Sequence, residues 1–361
     1  MRPSLAPTVL SILCVLPALP PAAAQETEAA LRVSLAPVRD RYARSDEVLV
    51  RVTLHNPGST PQYVLRWHTP VAGVEAPLFE VLRDGQPVRY LGIQVKRRAP
   101  GPGDYLRLDP GATLSSTVEL SALYEMNVTG PYQLRYRTAS SGLFAAAGPG
   151  AVQVRSLPGT LASSLVGIWI DGRLPRGARP ATKEATGGGA LEFSKCSNAQ
   201  QEQLGAAVDA GRTMAADAHD YLGASAETPQ YGARYGIWFG AQDAGRAATV
   251  RANFTAIRDA FDTKPLSIDC GCNEDYFAYV YPARPYTIYV CKAFWTAPLI
   301  GTDSRGGTLL HELSHFDVVA ATDDHVYGQK GAAELARSDP ARAVHNADSH
   351  EYFGENSPPQ R

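Results

Sequence analysis

Two histidines and a glutamate lie close together near the carboxyl end of the sequence, at His311, Glu312 and His315. Residues four apart on a helix share a face, so both imidazoles can reach one metal ion. Zinc suits such a pair, because two imidazoles and one further protein ligand leave a fourth position for water. The alternative is a surface helix that merely carries two histidines. The apolar run before them, residues 307–310, and three good N-cap residues at 302–304 favour a helix anchored in a core.

A third protein ligand is needed to complete this site. The helix is expected to end near residues 320–322, and Asp323, Asp324 and His325 follow directly. Carboxylate and imidazole are both competent zinc ligands. The chemistry of the side chains therefore leaves all three residues open.

Residues 311–315 and 321–328 together resemble the signature of the aspzincin metalloendopeptidases, which include deuterolysin and the fungal peptidyl-Lys metalloendopeptidases. That signature is His-Glu-x-x-His followed by Gly-Thr-x-Asp-x-x-Tyr-Gly, and here the second part reads Ala-Thr-Asp-Asp-His-Val-Tyr-Gly. The resemblance implies that Asp324 is the third zinc ligand and that Tyr327 stabilises the transition state. The one departure is Ala321 in place of Gly, which would be strained if this position needs a positive φ. The resemblance covers about the last 170 residues, roughly one ordinary domain.

Length and composition describe an ordinary globular protein. The chain has 361 residues, of which 44% are hydrophobic and 19% charged, so it is long enough for two domains with sizeable cores. A formal net charge of -2 gives no reason to expect a nucleic acid partner. The resemblance implies protein or peptide substrates, and we expect no membrane association.

Residues 1–24 have the pattern of a secretory signal. Arg2 supplies the positive start, residues 9–16 form a short apolar run, and residues 22–24 are small, as at a cleavage site. The apolar run is too short to span a bilayer. We therefore expect a secreted protein, extracellular or, in a Gram-negative source, periplasmic.

Residues 25–157 have the pattern of short strands. Residues 47–55 alternate between apolar and polar side chains, residues 56–59 form a turn, and residues 62–67 resume the extended pattern. Similar segments recur at 78–82, 88–95, 113–120, 132–137 and 152–155. Strands at this spacing predict an immunoglobulin-like β-sandwich that serves as a pro-domain or an accessory domain.

Residues 158–190 are predicted to be a linker with processing sites. Residues 172–180 and 186–189 are rich in Gly, Pro and Arg and lack apolar periodicity. Within this linker, residues 166–170 are either a last strand or a docking segment. Exposed basic residues in such a linker are natural sites of proteolytic nicking.

Residues 191–361 are predicted to form an α+β zincin-type metallopeptidase domain. Ser197 or Asn198 could cap a helix that runs to about Leu222, and a second helix is expected from Asp243 to Phe261. Short strands are expected before the metal-binding helix, at 266–270, 277–281 and 287–291.

Four cysteines remain after Cys14 leaves with the signal: Cys196, Cys270, Cys272 and Cys291. An even number in an exported chain argues for two disulfides. A Cys270–Cys272 bond is disfavoured because one Gly separates the two residues, and two pairings stay open. The spacing in the resembled peptidases implies Cys196–Cys270 and Cys272–Cys291. A zinc site built on the cysteines is the alternative, but the His/Asp site already accounts for the metal.

Asp348 and Glu351 are three residues apart, hence on one face of a C-terminal helix. An arbitrary pair of this kind is an ordinary solvated helix face. Here the offset from the metal helix agrees with the acidic pair with which peptidyl-Lys metalloendopeptidases hold a substrate lysine. The resemblance implies that both carboxylates bind the lysine after the scissile bond, through charge-assisted hydrogen bonds.

The resemblance implies a zinc-dependent endopeptidase with one Zn²⁺ per chain and a preference for Lys after the scissile bond. Zinc lowers the pKa of a bound water toward neutrality. Glu312 would accept a proton from the attacking water and return it to the leaving amine, while Tyr327 stabilises the oxyanion. A broader, deuterolysin-like protease is one alternative, and an inactive secreted protein that binds through the β-sandwich is another. The complete ligand set and Glu312 argue against an inactive protein.

Residues 25 to about 190 are predicted to be a removable pro-region that keeps the enzyme latent as an intramolecular inhibitor. Lys96, Arg97 and Arg98 could present a basic side chain to the acidic pocket and cover the zinc. The alternative is that they solvate a loop between strands and that the region is a permanent accessory domain. If the region is an inhibitor, autoprocessing is expected near Lys183 or Lys195, the lysines nearest the second domain.

Overall fold

Strands fill the amino-terminal part of the chain. The computed structural model describes residues 31–71, 73–146, 155–172, 189–223 and 231–360. The predicted signal peptide lies outside the described residues. The N-terminal region, residues 31–172, contains short 3₁₀ turns at Arg66–His68, Pro102–Asp104 and Leu120–Ala122. Its strands are β1 (Arg32–Pro37), β2 (Arg41–Tyr42), β3 (Leu49–His55), β4 (Gln62–Leu65), β5 (Phe79–Arg83), β6 (Gln86–Pro87), β7 (Gln94–Lys96), β8 (Tyr105–Leu108), β9 (Thr113–Glu119), β10 (Gly130–Ala146), β11 (Arg155–Ala162) and β12 (Val166–Ile170).

Two sheets of this region share one hydrophobic core. Antiparallel strands in the order β1-β3-β9 form the first sheet, and the path β2-β12-β10-β4-β8 forms the second, with β11 and β5 also paired to β10. Alternation explains the packing, since Val50, Val52 and Leu54 of β3 are buried while Arg51 is exposed. The predicted β-rich region is thus confirmed, whereas its immunoglobulin-like character stays a prediction.

The predicted linker begins too early. β11 and β12 fall largely within residues 158–190, and both pair antiparallel with β10. Both strands precede the Gly-, Pro- and Arg-rich stretches at 172–180 and 186–189 on which the linker prediction rests. The N-terminal region therefore extends at least to Ile170, and residues 173–188 lie outside the described residues.

Helices dominate the C-terminal region, residues 189–360. Its strands are β13 (Leu191–Ser194), β14 (Leu266–Asp269), β15 (Ala278–Val280) and β16 (Thr287–Val290). Its helices are α1 (Asn198–Tyr221), α2 (Ala233–Phe239), α3 (Ala244–Thr263), α4 (Lys292–Thr296), α5 (Arg305–His315), α6 (Gly328–Ser338), α7 (Pro340–Ala343) and α8 (Ala347–Glu355). The cap predicted at Ser197 is present, because its side chain accepts a hydrogen bond from the first turn of α1, and the Asp243 side chain caps α3 in the same way. The predicted α+β character of this region is confirmed.

One strand of the N-terminal region completes the C-terminal sheet. The sheet order is β13-β14-β16-β15-β7, in which β13, β14 and β16 run parallel and β15 antiparallel. β7 pairs antiparallel with β15, with Lys96 opposite Ala278 and Gln94 opposite Val280. The two regions are therefore joined by a backbone ladder as well as by side chains.

Helix α5 is buried on every side. The Ser304 side chain caps its first turn by accepting a hydrogen bond from Gly307 N at 2.9 Å. Gly306 permits a close crossing with α1, because a Cβ at this position would lie 2.9 Å from Ala210 Cβ. Leu309, Leu310 and Leu313 pack in the core. This packing fixes the position of the helix and therefore of the polar side chains that it carries.

Two disulfides pin the ends of the sheet strands. Cys196 is bonded to Cys270 and Cys272 to Cys291, as the resemblance implied. The first joins the segment after β13 to the end of β14, and the second joins the following loop to the end of β16. Among the described residues, no helix is both long and apolar enough to cross a membrane.

Candidate active site

Helix α5 and the loop after it bring three potential metal ligands together. His311 and His315 lie one turn apart, and their Nε2 atoms are 3.1 Å from each other. Asp324 Oδ1 lies 3.1 Å from the Nε2 atom of His311 and 3.5 Å from that of His315. All three side chains are buried. We call these three residues the metal cluster, meaning the side chains that could together hold one metal ion.

The metal cluster has the dimensions of a zinc site. Ligand atoms about 2.0–2.1 Å from a tetrahedral zinc ion lie roughly 3.3 Å from one another, close to the observed spacing. Asp324 Oδ1 has no hydrogen-bond partner among the described residues, although it is buried. Burial opposes ionisation of Asp324, but His315 and His311 hold the pKa of this carboxyl well below its usual range. A buried carboxylate facing two imidazoles is a donor set that fits zinc.

Of the three residues left open by the sequence, only Asp324 belongs to the metal cluster. It lies in the loop between α5 and α6, residues 316–327, hereafter the ligand loop. Asp323 is not part of the metal cluster, and its Oδ1 accepts a hydrogen bond from Gln94 Nε2 at 2.9 Å. His325 is not part of the metal cluster, and its backbone N–H donates to the Asn346 side chain at 3.0 Å. Asn346 Oδ1 also accepts from Val326 N at 3.2 Å, so one buried amide fixes the path of the loop.

Ala321, which replaces the Gly of the family signature, has a φ of +47°. This is the left-handed region, which costs an alanine roughly 1–2 kcal/mol. The loop imposes it, because Thr322 N donates to Ser314 O at 3.1 Å and Thr322 O accepts from His315 Nδ1 at 2.8 Å. The second contact also fixes the His315 tautomer, with the proton on Nδ1 and Nε2 facing the metal cluster.

Glu312 follows the first ligand and is completely buried. Neither of its carboxylate oxygens has a hydrogen-bond partner among the described residues. Burial raises the pKa of Glu312 to about 7, against the lowering effect of His311 and His315. A carboxyl group with this affinity for protons, beside the metal cluster, can accept a proton and release it again near neutral pH.

Tyr327 and Gly328 connect the metal cluster to β7. The Tyr327 hydroxyl donates to Val95 O at 2.8 Å, and Val95 N donates to Asp324 Oδ2 at 3.1 Å. Gly328 has a φ of +80°, and a Cβ there would lie 2.6 Å from the Cβ of Ala99. The chain after β7 thus lies directly against the loop that carries Tyr327.

Asp348 and Glu351 of α8 form a closed pocket around Lys96. The Lys96 ammonium lies 2.9 Å from Asp348 Oδ1 and 2.7 Å from Glu351 Oε2, and all three side chains are fully buried. Burial lowers the pKa of Lys96, but the surrounding carboxylates raise it well above its ordinary value. Burial likewise opposes ionisation of Asp348, but the Lys96 ammonium holds the pKa of this carboxyl below its usual range. For Glu351 burial is the larger effect, and it raises the pKa although the same ammonium lowers it.

Sequence reasoning missed three members of this lysine pocket. Asp303 Oδ1 lies 3.3 Å from the Lys96 ammonium and accepts a hydrogen bond from the Tyr352 hydroxyl at 2.6 Å. The ammonium also lies 5.2 Å from the Tyr352 ring centre and 5.8 Å from that of Phe277. Asp303 was noticed only as a possible N-cap, because a loop residue gives no sign of the distant helix that it faces.

Known proteins resemble both halves of this chain. The sequence profile of the aspzincin M35 family, described as lysine-specific metallo-endopeptidase, matches residues 224–355. An extracellular protease of Aeromonas hydrophila is 45% identical over 318 residues, which cover 87% of this chain and 89% of the relative. A peptidyl-Lys metalloendopeptidase of Armillaria mellea is 31% identical, over 89% of this chain and 90% of the relative.

A shorter relative and a solved structure match about half of the chain. A peptidyl-Lys metalloendopeptidase of Pleurotus ostreatus is 47% identical over 168 residues, which are 46% of this chain and 97% of the relative. A zinc peptidase from Grifola frondosa is 44% identical with a TM-score of 0.43, covering 46% of this chain and 100% of that one.

A metal cluster beside a buried glutamate is the site of a metallopeptidase, a class whose metal is typically zinc. The chain belongs to the aspzincin M35 family of metalloendopeptidases, as the long relatives and the family profile together establish. The family resemblance of its signature residues is thereby confirmed.

Proposed function

We propose that this protein is a secreted endopeptidase with one zinc ion per chain, that it cleaves before lysine, and that its N-terminal region keeps it latent. The observation that carries this proposal is the position of Val95 and Lys96. The Val95 carbonyl accepts a hydrogen bond from Tyr327, and the next side chain fills the lysine pocket. Secretion is supported by the signal pattern of residues 1–24 and by the name of the Aeromonas hydrophila relative.

The residues around the metal cluster divide the work of peptide hydrolysis. His311, His315 and Asp324 would hold zinc, which supplies an activated water when bound. Glu312 accepts the proton of the attacking water and later passes it to the leaving amine, a role that suits a carboxyl with a pKa of about 7. The Tyr327 hydroxyl donates a hydrogen bond to the carbonyl oxygen of the scissile bond, where negative charge develops.

Lysine preference follows from charge and solvation in the pocket. An ammonium group has three N–H donors, and three carboxylates surround it here. A neutral side chain would leave Asp348 and Glu351 buried without a counter-charge, which is costly. Arginine carries a wider planar head, so it is expected to fit less well than lysine.

The direction of β7 gives the position of lysine relative to the scissile bond. β7 runs antiparallel to its neighbouring strand β15, and Val95 precedes Lys96. Tyr327 contacts the carbonyl of Val95, and the lysine that fills the pocket is the next residue in the chain. A substrate bound in the same register would be cut on the amino side of its lysine.

The same contacts support latency. Lys96 occupies the pocket that a substrate lysine needs, and β7 occupies the sheet edge beside the metal cluster. Arg97 adds contacts outside the pocket, since its guanidinium lies 5.1 Å from the Trp67 ring and 5.0 Å from the Tyr276 ring. A substrate cannot enter until this segment leaves.

Processing is proposed to occur before Lys183 rather than before Lys195. Lys195 directly follows β13, which pairs with β14, and its ammonium lies 3.0 Å from Asp269. Cleavage before Lys195 would detach β13 from the C-terminal sheet. Lys183 lies outside the described residues, within the Gly-rich remainder of the predicted linker.

An unbiased peptide library tests the proposed activity. The zinc-loaded protein, after processing, should yield products that begin with lysine, and a chelator should abolish them. The Glu312→Gln variant is the matched control, because it keeps the volume of the side chain but removes the base. It should retain zinc and fold while losing activity by orders of magnitude. Cleavage without preference for lysine would contradict the pocket, and full turnover of zinc-loaded Glu312→Gln would contradict the role of Glu312.

A further inference from the structure

The lysine pocket and the metal cluster share a residue. His311 presents Nε2 to Asp324, at 3.1 Å, and turns its other ring nitrogen toward α8. That atom, Nδ1, lies 3.1 Å from Asp348 Oδ1 and 3.1 Å from Glu351 Oε2. These are the same two oxygens that contact the Lys96 ammonium.

We propose that Asp348 and Glu351 are positioning residues for the metal ligand His311 as well as the carboxylates that select lysine. The inference rests on the proposed function, because it takes the metal cluster as the zinc site. It adds that metal affinity and substrate selection depend on one pair of oxygen atoms.

The proton of His311 explains why this contact matters. A neutral imidazole that offers Nε2 to a metal carries its hydrogen on Nδ1, and this hydrogen needs an acceptor in a buried site. Nδ1 has no hydrogen-bond partner of good geometry among the described residues, but one oxygen of each carboxylate lies 3.1 Å from it. Both oxygens are thus within reach of the Nδ1 hydrogen once the ring is held by a metal, so the loss of either should affect the ligand.

The two histidine ligands differ in this respect. His315 Nδ1 donates to a neutral acceptor, the carbonyl oxygen of Thr322, at 2.8 Å. His311 faces two carboxylates, which raise the basicity of an imidazole more than a carbonyl does. Substitution of a carboxylate that orients a metal-bound histidine typically weakens metal binding about 10–100-fold.

Asp303 supplies a matched control from within the same pocket. It contacts the Lys96 ammonium at 3.3 Å, and its side chain is 35% exposed. No contact joins it to His311 among the ion pairs and hydrogen bonds of the described residues, because it approaches from the loop before α5 rather than from α8. Removal of its charge should therefore weaken lysine binding without disturbing the metal ligand.

The test measures zinc affinity of the full-length chain by competition with a chromophoric chelator. Glu351→Gln and Asp348→Asn should each weaken zinc binding about 10–100-fold, whereas Asp303→Asn should stay within about twofold of the unaltered protein. Each variant is also made with Lys96→Met and compared with Lys96→Met alone, so that no buried ammonium loses its partner and any opening is the same in both proteins. Melting of the metal-free proteins checks that the fold is the same.

Two results would overturn the inference. One is unchanged zinc affinity in both α8 variants, and the other is an equal loss in Asp303→Asn. Cleavage of matched lysine and alanine peptides by the Lys96→Met series tests the proposed function separately. A weakened zinc site with no lysine preference would leave the positioning role standing and refute the specificity, and the reverse result would do the opposite.

Discussion

Replacement of Lys96 by methionine should release the enzyme from the proposed latency. Methionine keeps most of the apolar stem but removes the ammonium, which is completely buried and lies 2.9 Å from Asp348 and 2.7 Å from Glu351. Breaking a buried ion pair by removing one partner typically costs about 3–5 kcal/mol. In the open form water solvates the two carboxylates, so this cost falls on the closed form.

The expected shift in the closed–open equilibrium follows from that cost. At about 1.4 kcal/mol per factor of ten, it corresponds to roughly a hundredfold to a few thousandfold. The β7–β15 ladder and the Arg97 contacts remain in the variant, so opening is made easier rather than complete. The initial rate on a lysine peptide should therefore rise by at least about two orders of magnitude in unprocessed protein.

The assay must separate opening from processing. Both proteins therefore carry Lys183→Ala, which removes the proposed processing site, and intact mass is checked after each rate measurement. Lys264→Met is the matched control, because Lys264 forms an exposed pair with Asp259, at 2.9 Å, and this pair includes no residue of the lysine pocket. If the unprocessed chain with Lys96 intact is as active as Lys96→Met, the N-terminal region is an accessory domain and the latency argument fails.

Three further outcomes are expected. Asp348→Asn combined with Glu351→Gln should lower kcat/KM for lysine peptides far more than for neutral peptides, measured on processed enzyme saturated with zinc. Ala321→Gly should stabilise the protein by about 0.5–1 kcal/mol in denaturant unfolding, because the φ of +47° strains alanine but not glycine. Burial lowers the pKa of His350 from 6.5 to about 4, so its contribution to stability is complete above pH 6.5 and is lost as the pH falls toward 4. Between about pH 7.5 and 5, unaltered protein should lose on the order of 2 kcal/mol more stability than His350→Gln.

Each of these has a result that would contradict it. Equal losses for lysine and neutral peptides would mean that the α8 carboxylates do not select the substrate. A destabilised Ala321→Gly protein would mean that the loop tolerates alanine without strain; Gly328→Ala, at a φ of +80°, is the opposite control and should destabilise. Identical pH profiles would mean that His350 accepts a proton in the folded state, although Nε2 already accepts from Asn253 at 3.0 Å.

Short-range patterns carried most of what the sequence predicted. His311 and His315 share a face on any helix, and the cap at Ser197 acts within one turn, so these features need no knowledge of distant contacts. The alternation of β3 likewise follows from one face meeting the core. The choice of Asp324 over its two neighbours came only from the family resemblance, since all three residues are chemically competent.

Long-range contacts account for what was missed. β7 has only three residues, and nothing in Gln94–Lys96 shows that its partner is a strand of the other region rather than a neighbour. Asn346 fixes the ligand loop through contacts across the chain, at a position that reads as an ordinary helix cap. The helix α6 was also not foreseen, because Gly328, Gly331 and small side chains give it a weak periodic pattern.

The ladder between β7 and β15 has a consequence for the conformation of protein substrates. Once β7 leaves, β15 becomes a free sheet edge, and an incoming chain must supply the missing strand through its own backbone groups. A lysine within a helix has its backbone N–H and C=O already bonded and cannot pair in this way. We therefore expect the rate of cleavage to depend on the local unfolding of a protein substrate as much as on its lysine content. Under the proposed preference for lysine, helical lysines should resist cleavage until their segment opens, and lysines in extended loops should be cut first.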